Sequence, residues 1–349
     1  SKILHNKDQD ISIETRKRVL EVIKEYQYVP YSKVIKSVSP KTSIIGVVLT
    51  AEAYGVQEIL YGIERTAADN GYSIMVCNTD GNRDKAIKCM NVLENKGVDA
   101  IIAVYQEEDV CNGSDVPAVC IFDHKVPSRQ RKTADIYYEM SDLGYMATNC
   151  LIKNGHHKIG ALLTHEDTGI EEGYYRAFKE SFLSPIKEWI FRGTQEDIIN
   201  IGINRCLNSD LTAIVCTDTE IGNVVYDRLR ERGDMIPGKV SVISARDSKL
   251  AEKMKPKLTA VSISPTDIGK TAVESIIQII EGKKPVHECR KKIEAEVIIR
   301  DSVDAPSSYK QGGKLVVVGS MNMDCVINVS NIPTDGETLR SRNIVTLPG

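Results

Sequence analysis

From about Ser43 to Ser302 the chain alternates short β-branched or aliphatic runs with amphipathic stretches, a rhythm that very few architectures accommodate. Strand candidates are Ile44–Leu49, Tyr72–Cys77, Ala100–Tyr105, Ala118–Phe122, Lys158–Thr164, Ala213–Thr217 and Val240–Ser244. Between them, helical patterns fall near 57–70, 84–96, 143–153, 171–182, 220–232 and 266–281. Apolar strands that alternate with helices predict parallel sheets built from βαβ units. The stretch is too long for one sheet, so the expectation is an α/β fold of two Rossmann-like lobes. Ligands of such folds bind outside the carboxyl ends of the strands, here the cleft between the lobes. No Gly-x-Gly-x-x-Gly and no Gly-x4-Gly-Lys-Ser/Thr occurs in this stretch, which disfavours a nucleotide; no cofactor is expected.

Composition narrows the function classes. No apolar run approaches the ~18 residues of a membrane span, and the start has no charged-then-apolar leader pattern. Nine cysteines are scattered singly without a Cys-x-x-Cys, several inside strand-like runs such as Ile74–Cys77, which fits a reducing, cytoplasmic setting. Residues 1–38 hold eight Lys/Arg against five Asp/Glu, net +3, leaving −6 for the rest of a chain whose total is −3. That split suits a phosphate-contacting arm on an acidic effector-binding body. Within the arm, Ser12 can cap a helix that carries Glu14 and Thr15 in its first turn. Val19, Leu20, Val22 and Ile23 give that helix an apolar stripe, and Pro30 stops it.

The run Ser12-Ile13-Glu14-Thr15-Arg16 through Tyr28-Val29-Pro30 resembles the third headpiece helix of LacI/GalR-type regulators. Ser1-Lys2-Ile3-Leu4-His5-Asn6-Lys7 resembles the second half of that family's recognition helix. Ordered blocks continue the resemblance to about residue 303. They include Ser43-Ile44-Ile45-Gly46-Val47-Val48, Lys96-Gly97-Val98-Asp99-Ala100-Ile101, Val116-Pro117-Ala118-Val119, Leu151–Gly160, Gly269-Lys270-Thr271-Ala272 and Val297–Ser302. The resemblance implies a helix-turn-helix headpiece and hinge over 1–38, a two-lobed periplasmic-binding-protein-like core over 39–303, operator DNA and a sugar effector as partners, and a homodimer. It places DNA contacts at Ser1, Lys2, His5, Asn6, Tyr28, Lys33, Lys36 and Val38. With one inserted residue, Lys36 stands where the family has arginine and Val38 where it has the leucine wedged into the minor groove. Valine is shorter and β-branched, so weaker or altered operator binding is expected.

The family's pocket positions map unevenly. Its ring-stacking aromatics after the first strand fall on Ala53-Tyr54-Gly55-Val56, leaving Tyr54 as platform. The Asp-Arg pair falls on Phe122-Asp123, or on Asp123-His124 with one insertion, and an Asp-Asn step falls near Glu139-Met140. The arginine ahead of Gly173-Tyr174 corresponds to Ile170, the strand-end Asn-Asp to Thr217-Asp218, and Gly-Phe-Asp-Asp to Ser244-Ala245-Arg246-Asp247. The implied effector positions are therefore Tyr54, Phe122, Asp123, Glu139, Thr217, Asp218 and Asp247. Each aspartate reads equally as a strand-end residue capping the next helix. So thin a set implies an unusual effector or a pocket that has lost one. His156, His157 and His165 lack metal-ligand spacing and read as capping or surface residues; no metal is expected.

A turn-rich polar linker is expected over 304–313, followed by a fresh strand at Lys314–Val318. Gly319-Ser320-Met321-Asn322-Met323-Asp324, Ile332–Thr338 and Thr346–Gly349 resemble the opening of ribokinase-like sugar kinases of the PfkB family. That resemblance implies a truncated kinase start over 314–349, with Asn322, Asp324 and Gly349 in its sugar site. It implies no enzymatic activity for this chain, because the family's ATP site and base come later. The whole then reads as a piece, cut at both ends, of a regulator–kinase fusion whose effector is ribose or a related pentose. The alternatives are a regulatory sugar-binding domain of a bifunctional kinase, and a transporter's solute-binding protein, which the headpiece-like helix and scattered cysteines oppose.

Overall fold

The computed structural model describes residues 41–306 apart from 52, 108, 111–113 and 127–132. It also describes positions 14, 15 and 18, all helical, and the backbones of three strands beyond residue 312. The DNA-contact positions Ser1, Lys2, His5, Asn6, Tyr28, Lys33, Lys36 and Val38 lie outside the described residues, as do Asn322 and Gly349.

Two six-stranded sheets share one strand order. In lobe 1 the strands are β1 (Ile44–Leu49), β2 (Ser73–Asn78), β3 (Ala100–Val104), β4 (Ala118–Phe122), β5 (Thr133–Tyr137) and β11 (Lys291–Lys292). Lobe 2 contains β6 (Ile159–Thr164), β7 (Ile190–Gly193), β8 (Ala213–Cys216), β9 (Ser241–Ser244), β10 (Thr259–Ser262) and β12 (Glu296–Ile298). The orders are β2-β1-β3-β4-β5-β11 and β7-β6-β8-β9-β10-β12, the doubly wound pattern in both. All pairs are parallel except β10 with β12. Strands β3, β4 and β8 are buried along their whole length, as parallel strands with helices on both faces require. A separate antiparallel sheet joins β13 (Gly313–Val317), β14 (Met323–Val329) and β15 (Asn343–Pro348), and Asp324 pairs with Leu347 in its register.

The seven strands expected from sequence all exist, with ends that move by one residue at most. Five others carried too little apolar signal. β5 has Asp135 at its centre, β11 is two lysines, β7 and β10 are four residues long, and β12 is a three-residue edge. Of the block Val297–Ser302, only Val297 and Ile298 fall in a strand, β12. Ala100–Tyr105 loses its last residue because Tyr105 turns into the left-handed region at φ 53°.

The main helices are α1 (Val56–Asp69), α2 (Arg83–Asn95), α3 (Met140–Lys153) and α4 (Thr168–Glu180). After a short helical run comes α5 (Thr219–Glu231), and then α6 (Pro265–Ile280). The chain crosses between lobes three times. After β5 it enters lobe 2 as α3, after β10 it returns to lobe 1 as α6, and after β11 it leaves again for β12. Each crossing helix packs on the helix that follows its host lobe's first strand, and glycines set the distance. A Cβ on Gly144 of α3 would lie 2.0 Å from the Ile170 carbonyl oxygen, and one on Gly173 of α4 would lie 2.0 Å from that of Ser141. In lobe 1, a Cβ on Gly62 would sit 2.1 Å from the Thr266 oxygen, and one on Gly269 would sit 2.1 Å from that of Ile59. The two helix pairs therefore touch backbone to backbone.

His156 is buried, which corrects the capping or surface role read from sequence. Its Nε2–H donates to the Asp304 carbonyl at 2.8 Å, and Nδ1 lies 2.8 Å from the Thr212 hydroxyl. Ser241 Oγ reaches the same carbonyl at 3.1 Å, so residue 304 is tied to lobe 2. Burial lowers the imidazole to about 4, and it is neutral in the fold.

Two outcomes follow from this packing. Gly173→Ala should destabilise the protein by about 3 kcal/mol or more, since backbone rather than a flexible side chain must give way, and urea unfolding would measure it. For His156, the unfolded chain takes up a proton near pH 6.5 that the folded chain refuses until about 4. Stability should therefore fall as the pH drops through that window, by up to about 3 kcal/mol. An NMR titration of His156 with a midpoint near 6.5 would contradict this.

Candidate functional site

The carboxyl ends of the parallel strands in both lobes point into one cleft. β1 leads to Tyr54, β3 to Tyr105, β4 to Asp123 and β5 to Tyr138. In lobe 2, β6 leads to Asp167, β8 to Thr217 and Asp218, and β9 to Arg246 and Asp247. Arg246 stands at the centre. One terminal nitrogen donates to Asp167 Oδ1 at 2.6 Å, and the other donates to Thr217 Oγ1 at 2.8 Å. Met140 Sδ lies 3.9 Å from the guanidinium, and the Tyr54 ring centroid lies 5.3 Å from its central carbon.

Asp167 is the anchor beneath that arginine. Its Oδ2 accepts from the Thr164 amide at 2.8 Å, from the Thr164 hydroxyl at 2.6 Å and from the Thr217 hydroxyl. Burial by itself would push this carboxyl up; Arg246 and the threonine donors outweigh it and hold Asp167 below the usual carboxylate range. With the Asp167 side chain 1% exposed and that of Arg246 13% exposed, the pair is charged, buried and geometrically fixed. Arg246 Nε is also buried and, among the described residues, has no hydrogen-bond partner. One donor of the guanidinium is thus left unsatisfied in the interior.

Three tyrosines form the opposite wall. The Tyr105 and Tyr138 hydroxyls are 3.1 Å apart, and their rings meet edge to face at 6.4 Å. Tyr54 donates its hydroxyl to the Asp247 carbonyl at 2.7 Å. Burial raises all three phenols well above their ordinary range, so each is a neutral donor. The positive φ of Tyr105 costs on the order of 1–3 kcal/mol, and such strain collects at binding sites.

The positions singled out from sequence separate into two groups. Tyr54, Thr217 and Asp247 converge on Arg246. Asp247 contributes its backbone carbonyl, because its carboxylate is engaged by Arg300 through two bonds of 2.9 Å. Asp218 caps α5 by accepting from the Ile221 amide at 2.8 Å, the helix-capping alternative. Phe122 packs into a small apolar cluster with Ala103, Cys120 and Val126. Asp123 pairs with His124 at 2.8 Å near solvent. Glu139 stands at the N-cap of α3 without a side-chain capping bond. Sequence reasoning missed Asp167, Tyr105 and Tyr138, and passed over Arg246 beside Asp247. Their common signal is position, one or a few residues beyond a buried strand.

Comparison with known proteins agrees with this fold. The periplasmic binding protein-like domain family matches residues 148–303. The HTH-type transcriptional repressor PurR of Glaesserella parasuis is 30% identical over 317 residues, which cover 85% of this chain and 92% of that protein. The Escherichia coli transcriptional repressor ascG superposes with a TM-score of 0.68 at 20% identity, covering 76% of this chain and all of that one. A LacI transcriptional regulator of Alkaliphilus metalliredigens, complexed with D-xylulofuranose, gives 0.61 at 22% identity, covering 75% and 99%.

Removing the anchor should be costly. Asp167→Asn leaves Arg246 buried without its counter-charge, and a loss of about 3–5 kcal/mol in urea unfolding is expected. A loss below about 1 kcal/mol would mean that water screens the pair. With two doubly wound lobes, a cleft at their strand ends and a repressor relative matched over nearly its full length, the chain belongs to the LacI/GalR family of transcriptional regulators, with a periplasmic-binding-protein-like core.

Proposed function

We propose that this chain is the effector-responsive part of a transcriptional repressor, with operator DNA bound through a headpiece and a small polyhydroxylated ligand bound in the cleft. The observation that carries the reading is the fixed Arg246–Asp167–Thr217 group facing three protonated tyrosine hydroxyls. Such a site offers directional donors with aromatic faces beside them, which suits hydroxyls and C–H surfaces of a furanose or pyranose. A pentose such as ribose is the preferred class, in keeping with the xylulofuranose held by one structural relative.

A homodimer belongs to the same proposal. Val76 on the edge strand β2, with Ile87 and Val92 on α2, gives lobe 1 an exposed apolar margin. The kinase-fusion reading rests on the C-terminal motifs, and the separate antiparallel sheet β13-β14-β15 is compatible with it. In that second reading the cleft would regulate an attached ribokinase-like domain, with Asp324 on its central strand.

Thermal unfolding against a panel of pentoses, hexoses and their phosphates tests the effector class. A ligand at 100 times its Kd should add about 2.7 kcal/mol, read as a raised midpoint. A response to pentoses that Thr217→Val abolishes is the expected result. No shift with any sugar would refute the sugar class.

A further inference from the structure

We infer that the chain closes its own cleft, with Tyr54 of lobe 1 acting as a latch on the Arg246–Asp247 loop of lobe 2. The phenol hydroxyl donates to the Asp247 carbonyl at 2.7 Å, and its ring faces the Arg246 guanidinium at 5.3 Å. Both contacts join opposite lobes, and the hydrogen bond links residues 193 positions apart.

Both sides of the latch are fixed from behind. Arg246 is held by Asp167 and Thr217, so its face stays presented to the ring. Asp247 is held through backbone and side chain: its amide donates to the Val261 carbonyl at 2.9 Å, and its carboxylate takes two 2.9 Å bonds from Arg300. On the Tyr54 side, Gly55 follows in the left-handed region at φ 68° and starts α1. Its added Cβ would meet Pro265 at 3.2 Å, so the turn carrying Tyr54 lies against the return crossing between the lobes. A rigid acceptor and a rigid cation thus face a tyrosine mounted beside a hinge strand. Opening the cleft has to break the hydrogen bond and the cation–π contact together, because one side chain makes both.

The contacts belong to the chain itself, so closure is intrinsic, and an effector must displace Tyr54 or open a cleft that is already shut. This regulatory meaning rests on reading the cleft as the effector site; the closure does not.

Distances between spin labels on non-natural residues at Lys88 of lobe 1 and Lys253 of lobe 2, both exposed, test the inference without any effector. The wild-type protein should give one narrow, short distribution. Tyr54→Phe removes the hydrogen bond alone and should lower the closed-to-open ratio about five-fold. Tyr54→Leu removes the ring as well and should lower it further, while far-UV circular dichroism confirms that each variant is folded. Tyr174→Phe deletes a hydroxyl bonded to the Ile159 carbonyl inside lobe 2 and should leave the distribution unchanged. A wild-type protein that is mostly open, Tyr54 variants that match it, or a Tyr174→Phe shift as large as that of Tyr54→Phe would each overturn the latch. None of these outcomes depends on whether a sugar binds.

Discussion

The backbone contact between α3 and α4, mirrored by that between α1 and α6, is the constraint on which the two-lobe arrangement depends. Each lobe is completed by a helix whose preceding strand lies in the other lobe, so nothing in local sequence holds that helix to its host. What holds it is shape. Gly62 and Gly269 in one pair, Gly144 and Gly173 in the other, let peptide groups approach where any side chain would collide. Apolar burial around them then favours the exchanged partner over the neighbouring one. Tyr174 and Phe178 of α4, and Ile59 and Ile63 of α1, are fully buried. Close approach and core burial act on the same helix faces, which fixes the connections between lobes and thereby the orientation of every strand end in the cleft.

Much of this architecture was legible in the sequence because a strand buried on both faces writes itself as a continuous apolar run. Ile45, Val47 and Val48, or Ala213 through Cys216, have no polar interruption, and their spans were readable nearly to the residue. Strands at the sheet margins escaped for the opposite reason. β11 and β12 are short, charged and partly exposed, and only tertiary pairing makes them strands. Helix starts were readable to one residue at α5, which Asp218 caps, and at the uncapped α1 and α6, and missed by three residues at α3 and α4, which have no side-chain cap.

The cleft was less legible because its chemistry depends on which strand ends meet. Tyr54 could be picked out as an aromatic after the first strand. Asp167 and Arg246 could not be paired, since 79 residues separate them and neither lies in an unusual local setting. Arg246 stands where the family resemblance calls for an aspartate, and Asp167 lies on the helix start where it calls for an arginine nearby. Both charges lie in lobe 2 but at other positions than the resemblance calls for, so a position-by-position reading does not pair them. In three dimensions they form one buried pair. Tyr105 illustrates the same limit, because its left-handed backbone is a property of the assembled strand end rather than of the tyrosine.

The bond between His156 and the Asp304 carbonyl has a mechanical consequence for whatever follows the core. Residue 304 is clamped to lobe 2 through His156 and Ser241, a few residues after Arg300 is clamped to Asp247. Polypeptide continuing from that point is grounded on one half of a hinged body. A rotation between the lobes would therefore shift this exit point of the core relative to lobe 1.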